Sequence, residues 1–589
     1  MTALEVLHKY FGYECFRPLQ EEIINSVSAG KDTLALLPTG GGKSLCFQIP
    51  ALMAAEESGE GLCLVVTPLI ALMKDQTENL RARGIHAAAI YTGMSHDRQQ
   101  QALDNCQYGP YRFLYVSPER LESPDFRRRL ALLPITMIAV DEAHCISQWG
   151  YDFRPSYLRI SEVRGLLPPS PYTGRRVPVL AVTATATPEV AEDIQRRLSM
   201  QGEEPQWNVF RQSFSRKNLS YIVRRCADSR AKTEQLLHIL QRVPGSAIVY
   251  VRNRKHTEEL AQVLQNGGIE AQFYHAGLTT AERTLRQEAW KQYGGTGSGG
   301  TRVMVCTNAF GMGIDKPDVR IVLHFDTPDS PEAYFQEAGR AGRDGKTAYA
   351  VLLYAPEDKG KMRKRIADNY PPKEFVEKVY HNTSDYLCVG AGSGEGHTFA
   401  LHIDDLCRVM HLPVLQTYSA LHLLSQAGYI DFQEEQETQA RVRLNASRQE
   451  MADYRLSAAQ QELIQRIMRN YPGVFTDLQY VHEDINNEEH ELLAGLAARH
   501  IITYIPRTRA CAITYVQERQ TEIRLSPETY EKRVESYTER LRAMSEYAGQ
   551  SRFCRQQLLQ HYFGEDDAEP CGTCDVCRAA LKQKADTGK

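Results

Sequence analysis

Residues 34–50, LALLPTGGGKSLCFQIP, constrain this chain more than any other stretch. The apolar run Leu34 to Leu37 reads as a buried strand, Gly40-Gly41-Gly42 as a turn, and Lys43-Ser44 as the opening of a helix. Glycines let backbone N–H groups approach phosphate oxygens closely, and a helix N-terminus adds positive potential there. Lys43 is placed to reach β- and γ-phosphates and the Ser44 hydroxyl to hold Mg²⁺. Leu37 stands where the G-x-x-x-x-G-K-[ST] pattern has its first Gly, so alone the stretch also reads as a surface turn ending in Lys-Ser.

The same grammar recurs downstream. GLCLVVTPLIALMKDQ, FLYVSPERL at 113–121, TMIAVDEAHCISQWG and VLAVTATATP at 179–188 each join an apolar strand to a polar turn. Strands alternating with helices predict a parallel α/β sheet, whose ligands sit at the carboxyl ends of the strands. Asp141-Glu142 closes one of these strands. An acidic residue there can hold Mg²⁺ through water, and Glu142 can orient and deprotonate an attacking water.

Composition sets the class. At 589 residues the chain has room for about four domains, and 42% hydrophobic with 24% charged residues is ordinary for a soluble globular protein. Neither a signal-peptide core nor an uninterrupted apolar run of ~18 residues occurs, so a cytoplasmic protein with no membrane partner is expected. The formal net charge of −4 argues against a uniformly basic nucleic-acid binder and leaves room for a local basic channel.

Directly after Glu142, CISQWGYDFRPSY (145–157) crowds Trp149, Tyr151, Phe153, Arg154 and Tyr157 into a loop punctuated by Gly150, Asp152 and Pro155. Base stacking on aromatics tolerates any sequence, which suits a machine stepping along a strand; a small aromatic core is the other reading.

These motifs, in this order over residues 8 to about 358, resemble the RecQ family of superfamily-two DNA helicases. FGYECFRPLQ resembles the adenine-binding motif, with Arg17 and Gln20. PTGGGKS resembles the family P-loop, from Thr39 through Ser44, which commonly lacks the first Gly. DEAH resembles the Mg²⁺/water motif, and TAT at 183–185 the motif coupling hydrolysis to movement. The resemblance implies that Trp149, Phe153 and Arg154 sense single-stranded DNA.

A second run of strand–helix units, SAIVYV to VRIVLHFD, predicts a second α/β lobe of similar size, interrupted by GGTGSGG at 294–300. It closes with YFQEAGRAGRDGK. Arg340 and Arg343 match the family's arginine-finger motif together with Gln336, Arg343 being the expected finger. Gly313 and Asp315 match the preceding motif, which in the family contacts nucleotide and DNA.

In the last third the order departs from the family. About 190 residues separate Asp358 from a cysteine cluster that RecQ proteins commonly place directly after the second lobe. FALHIDDLCRVMHLPVLQTYSALHLLSQAGYIDFQ and VFTDLQYVHEDINNEEHELLAGLAARHIITYIPRTRACAITY read as two repeated units, the second ending in a hairpin. Either could be a helix-turn-helix with a wing. The tip Pro506-Arg507-Thr508-Arg509 is basic, whereas the first unit's EEQETQ would repel phosphates. A packing domain is the alternative. Cys554, Cys571, Cys574 and Cys577 offer four thiolates for a structural tetrahedral Zn²⁺, although an iron–sulfur cluster takes four as well. CRQQLLQHYFGE…CGTCDVC resembles the RecQ zinc module, with about a dozen residues beyond it and no room for the family's helical accessory domain.

The expected architecture is therefore two tandem RecA-like lobes at 1–208 and 209–358, a winged-helix-like region at 359–523 and a basic helix with zinc module at 524–589. The resemblance implies an ATP-dependent 3′-to-5′ helicase of DNA repair and recombination. ATP, Mg²⁺ and Zn²⁺ would be its cofactors, single-stranded and forked duplex DNA its partners, and a monomer its working state. An RNA helicase, a duplex translocase that remodels nucleoprotein, or a DNA-binding scaffold with a dead motor are the other readings. Intact Lys43, Asp141, Glu142, Arg340 and Arg343 oppose the last.

Overall fold

The computed structural model describes residues 1–589 apart from 60, 92–93, 95, 148, 151, 201, 295–299, 312–315, 438–439, 446–453, 455, 477–478, 482–486, 500, 506–508 and 588–589. Two compact units form, one from Met1–Lys364 with Glu535–Lys589, the other from Arg365–Val534.

The first lobe of the first unit is a seven-stranded parallel sheet. Its strands are β1 (Thr33–Leu36), β2 (Leu62–Val66), β3 (Ala87–Ile90), β4 (Phe113–Val116), β5 (Ile135–Asp141), β6 (Val179–Thr183) and β7 (Asn208–Arg211). They lie in the order β3-β4-β2-β5-β6-β1-β7. Every residue of β1, β2, β4 and β6 is buried, which is why they read as continuous apolar runs: helices cover both faces of a parallel sheet. Pairing aligns Leu36 with Thr183 and Asp141 with Val182, so the P-loop, DEAH and TAT turns leave the sheet at one edge.

The second lobe holds six parallel strands: β8 (Leu219–Arg225), β9 (Ser246–Tyr250), β10 (Ala271–Tyr274), β11 (Val303–Cys306), β12 (Val319–His324) and β13 (Ala348–Tyr354). Their order is β10-β11-β9-β12-β13-β8. The expected boundary at 208/209 cuts through β7, which pairs with β1 from Asn208 to Arg211; the lobe ends after it. The boundary at 358/359 likewise falls inside the helix Pro356–Asn369.

In the second unit, the helix Lys373–Tyr386 is followed by β14 (Thr398–Leu401), helices Ile403–Val409 and Val414–Gln426, and β15 (Ile430–Glu437). Next come β16 (Arg441–Leu444), β17 (Gln479–Tyr480), β18 (Ile502–Ile505) and β19 (Arg509–Tyr515). The expected hairpin at the end of a second repeat does not form. β19 pairs antiparallel with β14 and β15, whereas β18 pairs with β16 in another sheet. Each strand goes where its apolar face is covered. Cys511, Ile513 and Tyr515 enter the core with Leu406, Leu421 and Phe432, while Ile502 joins Val442, Ile464 and Leu493. The unit thus has two small antiparallel sheets, β14-β19-β15 and β17-β16-β18, each over its own core, and the chain leaves the first sheet after β15 and rejoins it at β19. Of the basic tip, residues 506–508 lie outside the described residues, as do 295–299 of the Gly-rich insertion.

The cysteine region returns to the first unit at Glu535, inside the helix Glu531–Gly549, rather than beginning at 524. Helices Arg555–Tyr562 and Asp575–Thr587 complete it. Among the described residues no helix is long and apolar enough to cross a membrane.

Candidate functional site

The P-loop turn is locked by its own geometry and its neighbours. Gly42 caps the helix Lys43–Ser58 at φ 81°, and a Cβ there would collide with the Gln20 amide. Gln20 Nε2 donates to the Gly42 carbonyl over 3.0 Å, its Oε1 accepts from the Arg17 N–H over 2.8 Å, and Arg17 Nη1 donates to the Gly40 carbonyl. Arg17 and Gln20 therefore sit on the P-loop backbone itself. Ser44 Oγ accepts from Gln76 Nε2 at 3.0 Å, and Gln76 Oε1 accepts in turn from Gln48 Nε2 at 3.0 Å. Gln76 had no motif to mark it; it is one polar residue in the helix after β2.

Asp141 ends β5 with Oδ1 accepting the Glu142 N–H at 3.0 Å and Oδ2 facing the Thr67 hydroxyl at 3.5 Å. Burial and the adjacent Glu142 charge push its carboxyl well above the usual carboxylate range, while the Lys43 charge pulls it down. Glu142 adopts φ 47°, a left-handed conformation rare for a side chain of this kind and often found at functional sites. Its Oε2 lies 3.4 Å from His144 Nδ1, and that nitrogen is 2.8 Å from Thr183 Oγ1. Burial lowers the His144 pKa. DEAH and TAT are therefore joined side chain to side chain.

The loop after DEAH divides by role. Trp149 is 37% exposed and Phe153 half-buried. Tyr157 is fully buried with its hydroxyl donating to the Asp141 carbonyl at 3.0 Å, so it belongs to the core and not to a stacking surface. Arg154 donates to the Pro68 carbonyl at 3.2 Å and lies 3.7 Å from Asp152. Tyr151 lies outside the described residues. Arg540 holds the loop from the helix Glu531–Gly549, donating to the carbonyls of Trp149 at 2.8 Å and Gly150 at 3.4 Å. Nothing in the sequence pointed to it, because 391 residues separate the pair.

The second lobe meets the P-loop at one turn. A Cβ on Gly339 would lie 3.2 Å from the Thr39 Cβ, and one on Gly40 would lie 3.5 Å from Arg343 Cγ. Arg343 therefore lies over the P-loop. Arg340 is buried and turned into its own lobe, donating to the Gly311 carbonyl. Gln336 and Arg340 line a cleft of 400 Å³ with Asp152, Arg154 and Arg540. Gly313 and Asp315 lie outside the described residues.

The four sulfurs of Cys554, Cys571, Cys574 and Cys577 fall within 4.8 Å of one another. A single ion with Zn–S bonds of ~2.3 Å sets tetrahedral sulfurs about 3.8 Å apart, so the cage suits one such ion. Backbone N–H groups of Cys571, Cys574 and Cys577 donate to the Sγ of Cys554, Cys571 and Cys574 at 3.3, 3.3 and 3.4 Å. Donors aimed at sulfur are what bound thiolates need. Arg555, fully buried, ties the two helices together through a bidentate pair with Asp575 at 3.1 and 3.0 Å.

Comparison with known proteins matches the chain to the DEAD/DEAH box helicase family over residues 17–194 and the helicase conserved C-terminal domain over 231–345. It matches the RecQ zinc-binding family over 514–578. It is 42% identical to a probable ATP-dependent DNA helicase RecS of Bacillus subtilis, over 61% of this chain and 68% of that one. It is also 42% identical to the ATP-dependent DNA helicase RecQ of Pasteurella multocida, over 64% of this chain and 56% of that one. Among solved structures it resembles Mss116p bound to single-stranded RNA and AMP-PNP, with TM-score 0.50 and 16% identity over 72% of this chain and 89% of that one. The helicase MrfA bound to DNA and AMPPNP gives TM-score 0.50 at 18% identity over 62% and 52%.

Proposed function

We propose that this chain, which belongs to the RecQ family of superfamily-two helicases, hydrolyses ATP to move 3′ to 5′ along single-stranded DNA and to part a duplex ahead of it. The observation that carries this reading is Arg343 lying over Gly40. Two lobes share one phosphate site, so hydrolysis depends on how they meet.

In this reading Lys43 binds the β- and γ-phosphates, and Arg17 and Gln20 border the adenine. Ser44 and Asp141 offer the hard oxygen donors that suit Mg²⁺, the former directly and the latter through water. Bound there, the ion would neutralise charge on the phosphates. Glu142 orients the attacking water and takes its proton, and its buried carboxylate next to His144 and Thr183 links that event to the TAT turn. Arg343 stabilises the charge that develops on the γ-phosphoryl group. Trp149 and Phe153 present aromatic faces to bases, and Arg540 fixes the loop that carries them. With its guanidinium on Pro68 and Asp152, Arg154 is suited to hold that loop to the lobe.

The test is ATP turnover with single-stranded DNA, RNA and blunt duplex, followed by unwinding of forked duplexes with 3′ or 5′ tails. Stimulation by single-stranded DNA with unwinding of 3′-tailed forks is expected. Stimulation by RNA alone, or by duplex without strand separation, would replace this reading with an RNA helicase or a translocase.

A further inference from the structure

The segment between the lobes, Gln212 to Asn218, is gripped from outside by the cysteine module. Phe214, fully buried, packs its ring 4.7 Å from that of Phe563 and 5.6 Å from that of Phe335, and Phe563 and Phe335 are 5.2 Å apart. Glu565 accepts from the Phe214 N–H at 2.7 Å and the Ser213 hydroxyl at 2.9 Å. Gln556 donates to Ser215 Oγ at 2.6 Å, and Arg211 donates to the Phe563 carbonyl at 2.6 Å.

The next residue, Arg216, points the other way. Its Nη1 donates to the carbonyls of Thr39 and Gly339, each at 3.4 Å, and its Nη2 to those of Ala341 and Gly342, each at 3.0 Å. Thr39 belongs to the P-loop, and Gly339 to Gly342 is the turn that presents Arg340 and Arg343. Burial lowers the Arg216 pKa, and its four acceptors are carbonyls that satisfy its donors without a countercharge. A planar guanidinium fork can span two carbonyl pairs at once; a lysine ammonium has no such geometry.

We infer that Arg216 is a positioning residue: it holds the Gly339–Gly342 turn, and so Arg343, against the P-loop, and the cysteine module sets where Arg216 stands by gripping the linker before it. This rests on the reading of Arg343 and the P-loop as one hydrolytic site, but its structural part stands apart from activity. Arg216 donates to backbone carbonyls of the P-loop and the arginine turn, so its loss should lower kcat and spare KM for ATP.

Hydrogen exchange on the full, nucleotide-free chain decides the inference. Arg216→Gln and Glu565→Gln should both speed exchange of amides in 339–345 while leaving those of β9 and β12 unchanged, with Arg216→Lys behaving like Gln. Unchanged exchange in that turn for Arg216→Gln would overturn the hold, and for Glu565→Gln the role of the module. Should Arg216→Gln prove unstable, the Arg216→Lys chain carries the same comparison. In turnover assays a loss of kcat by about tenfold at constant KM is expected, absent from the Arg343→Ala background. An additive loss there would overturn the link to Arg343. Faster exchange in the variants, together with a wild-type chain that never hydrolyses ATP, would instead sink the proposed function.

Discussion

The guanidinium of Arg540 donates to the main-chain carbonyl of Trp149 over 2.8 Å. The contact joins the helix that leads into the cysteine module to the loop that follows DEAH, and it fixes the loop by its backbone, leaving the indole exposed.

Arg540→Ala should therefore loosen Trp149 without touching the phosphate site. Turnover in the absence of DNA should stay within about twofold of wild type, while stimulation by single-stranded DNA falls several-fold. Acrylamide quenching provides a second measure, since of the three tryptophans Trp290 is fully buried, Trp207 is half-buried and Trp149, at 37%, is the most exposed. Quenching should rise in Arg540→Ala; unchanged quenching and stimulation would mean that the loop holds itself.

Trp149→Ala and Phe153→Ala should keep ATP binding and DNA-free turnover yet lose stimulation by DNA. Binding of a fluorescent ATP analogue and turnover titrated with single-stranded DNA measure the two separately. Normal stimulation in both variants would return these rings to the aromatic core that already holds Tyr157.

Lys43→Ala should reduce DNA-stimulated hydrolysis by at least ~10²-fold, because it removes the P-loop cation proposed to bind the β- and γ-phosphates. DNA binding, measured by anisotropy, should be little changed. Turnover near wild type would refute the site.

Metal analysis of the purified chain should find about one zinc per molecule and no iron. Cys574 is fully buried within the sulfur cage, so Cys574→Ser should release the metal and lower the Tm of the chain. Iron in place of zinc would favour the cluster chemistry that four thiolates also permit.

Acid stability should depend on Asp326. Burial alone would raise its pKa, but His256, whose Nδ1 lies 3.8 Å away, and the Arg252 N–H, which donates to it at 3.0 Å, outweigh burial and bring it to about 2. A carboxyl depressed from ~3.9 stabilises the fold above that pH, by roughly 2.5 kcal/mol, and loses this as pH falls toward 2. Asp326→Asn should thus have a lower Tm than wild type at neutral pH, with the gap closing between pH ~4 and ~2. A gap independent of pH would assign the effect to packing.

Much of this could be read from local chemistry. The unbroken apolar runs of β1, β2, β4 and β6 mark strands buried on both faces, and Lys43, Thr67, Asp141 and Thr183 lie at or just past the carboxyl ends of β1, β2, β5 and β6. Other elements left weaker traces. β7 is a four-residue strand of half-exposed and exposed residues, Asn208–Arg211, so it lacks the buried pattern, and β8 loses it at its end, where five buried residues give way to two exposed arginines. The segment 502–515 carries two good strands, but nothing local says that they serve different cores.

The sequence by itself determined which residues can bind phosphate, orient water and cage a metal, because these depend on residue type and short spacing along one turn or helix. Tertiary structure alone decided which of them meet. Arg343 rather than Arg340 reaches Gly40, Arg216 spans the carbonyls of both lobes, and Arg540 holds Trp149 from 391 residues away. Such contacts depend on how sheets and helices pack, and packing is fixed by the burial of faces drawn from the whole chain, which no local pattern records.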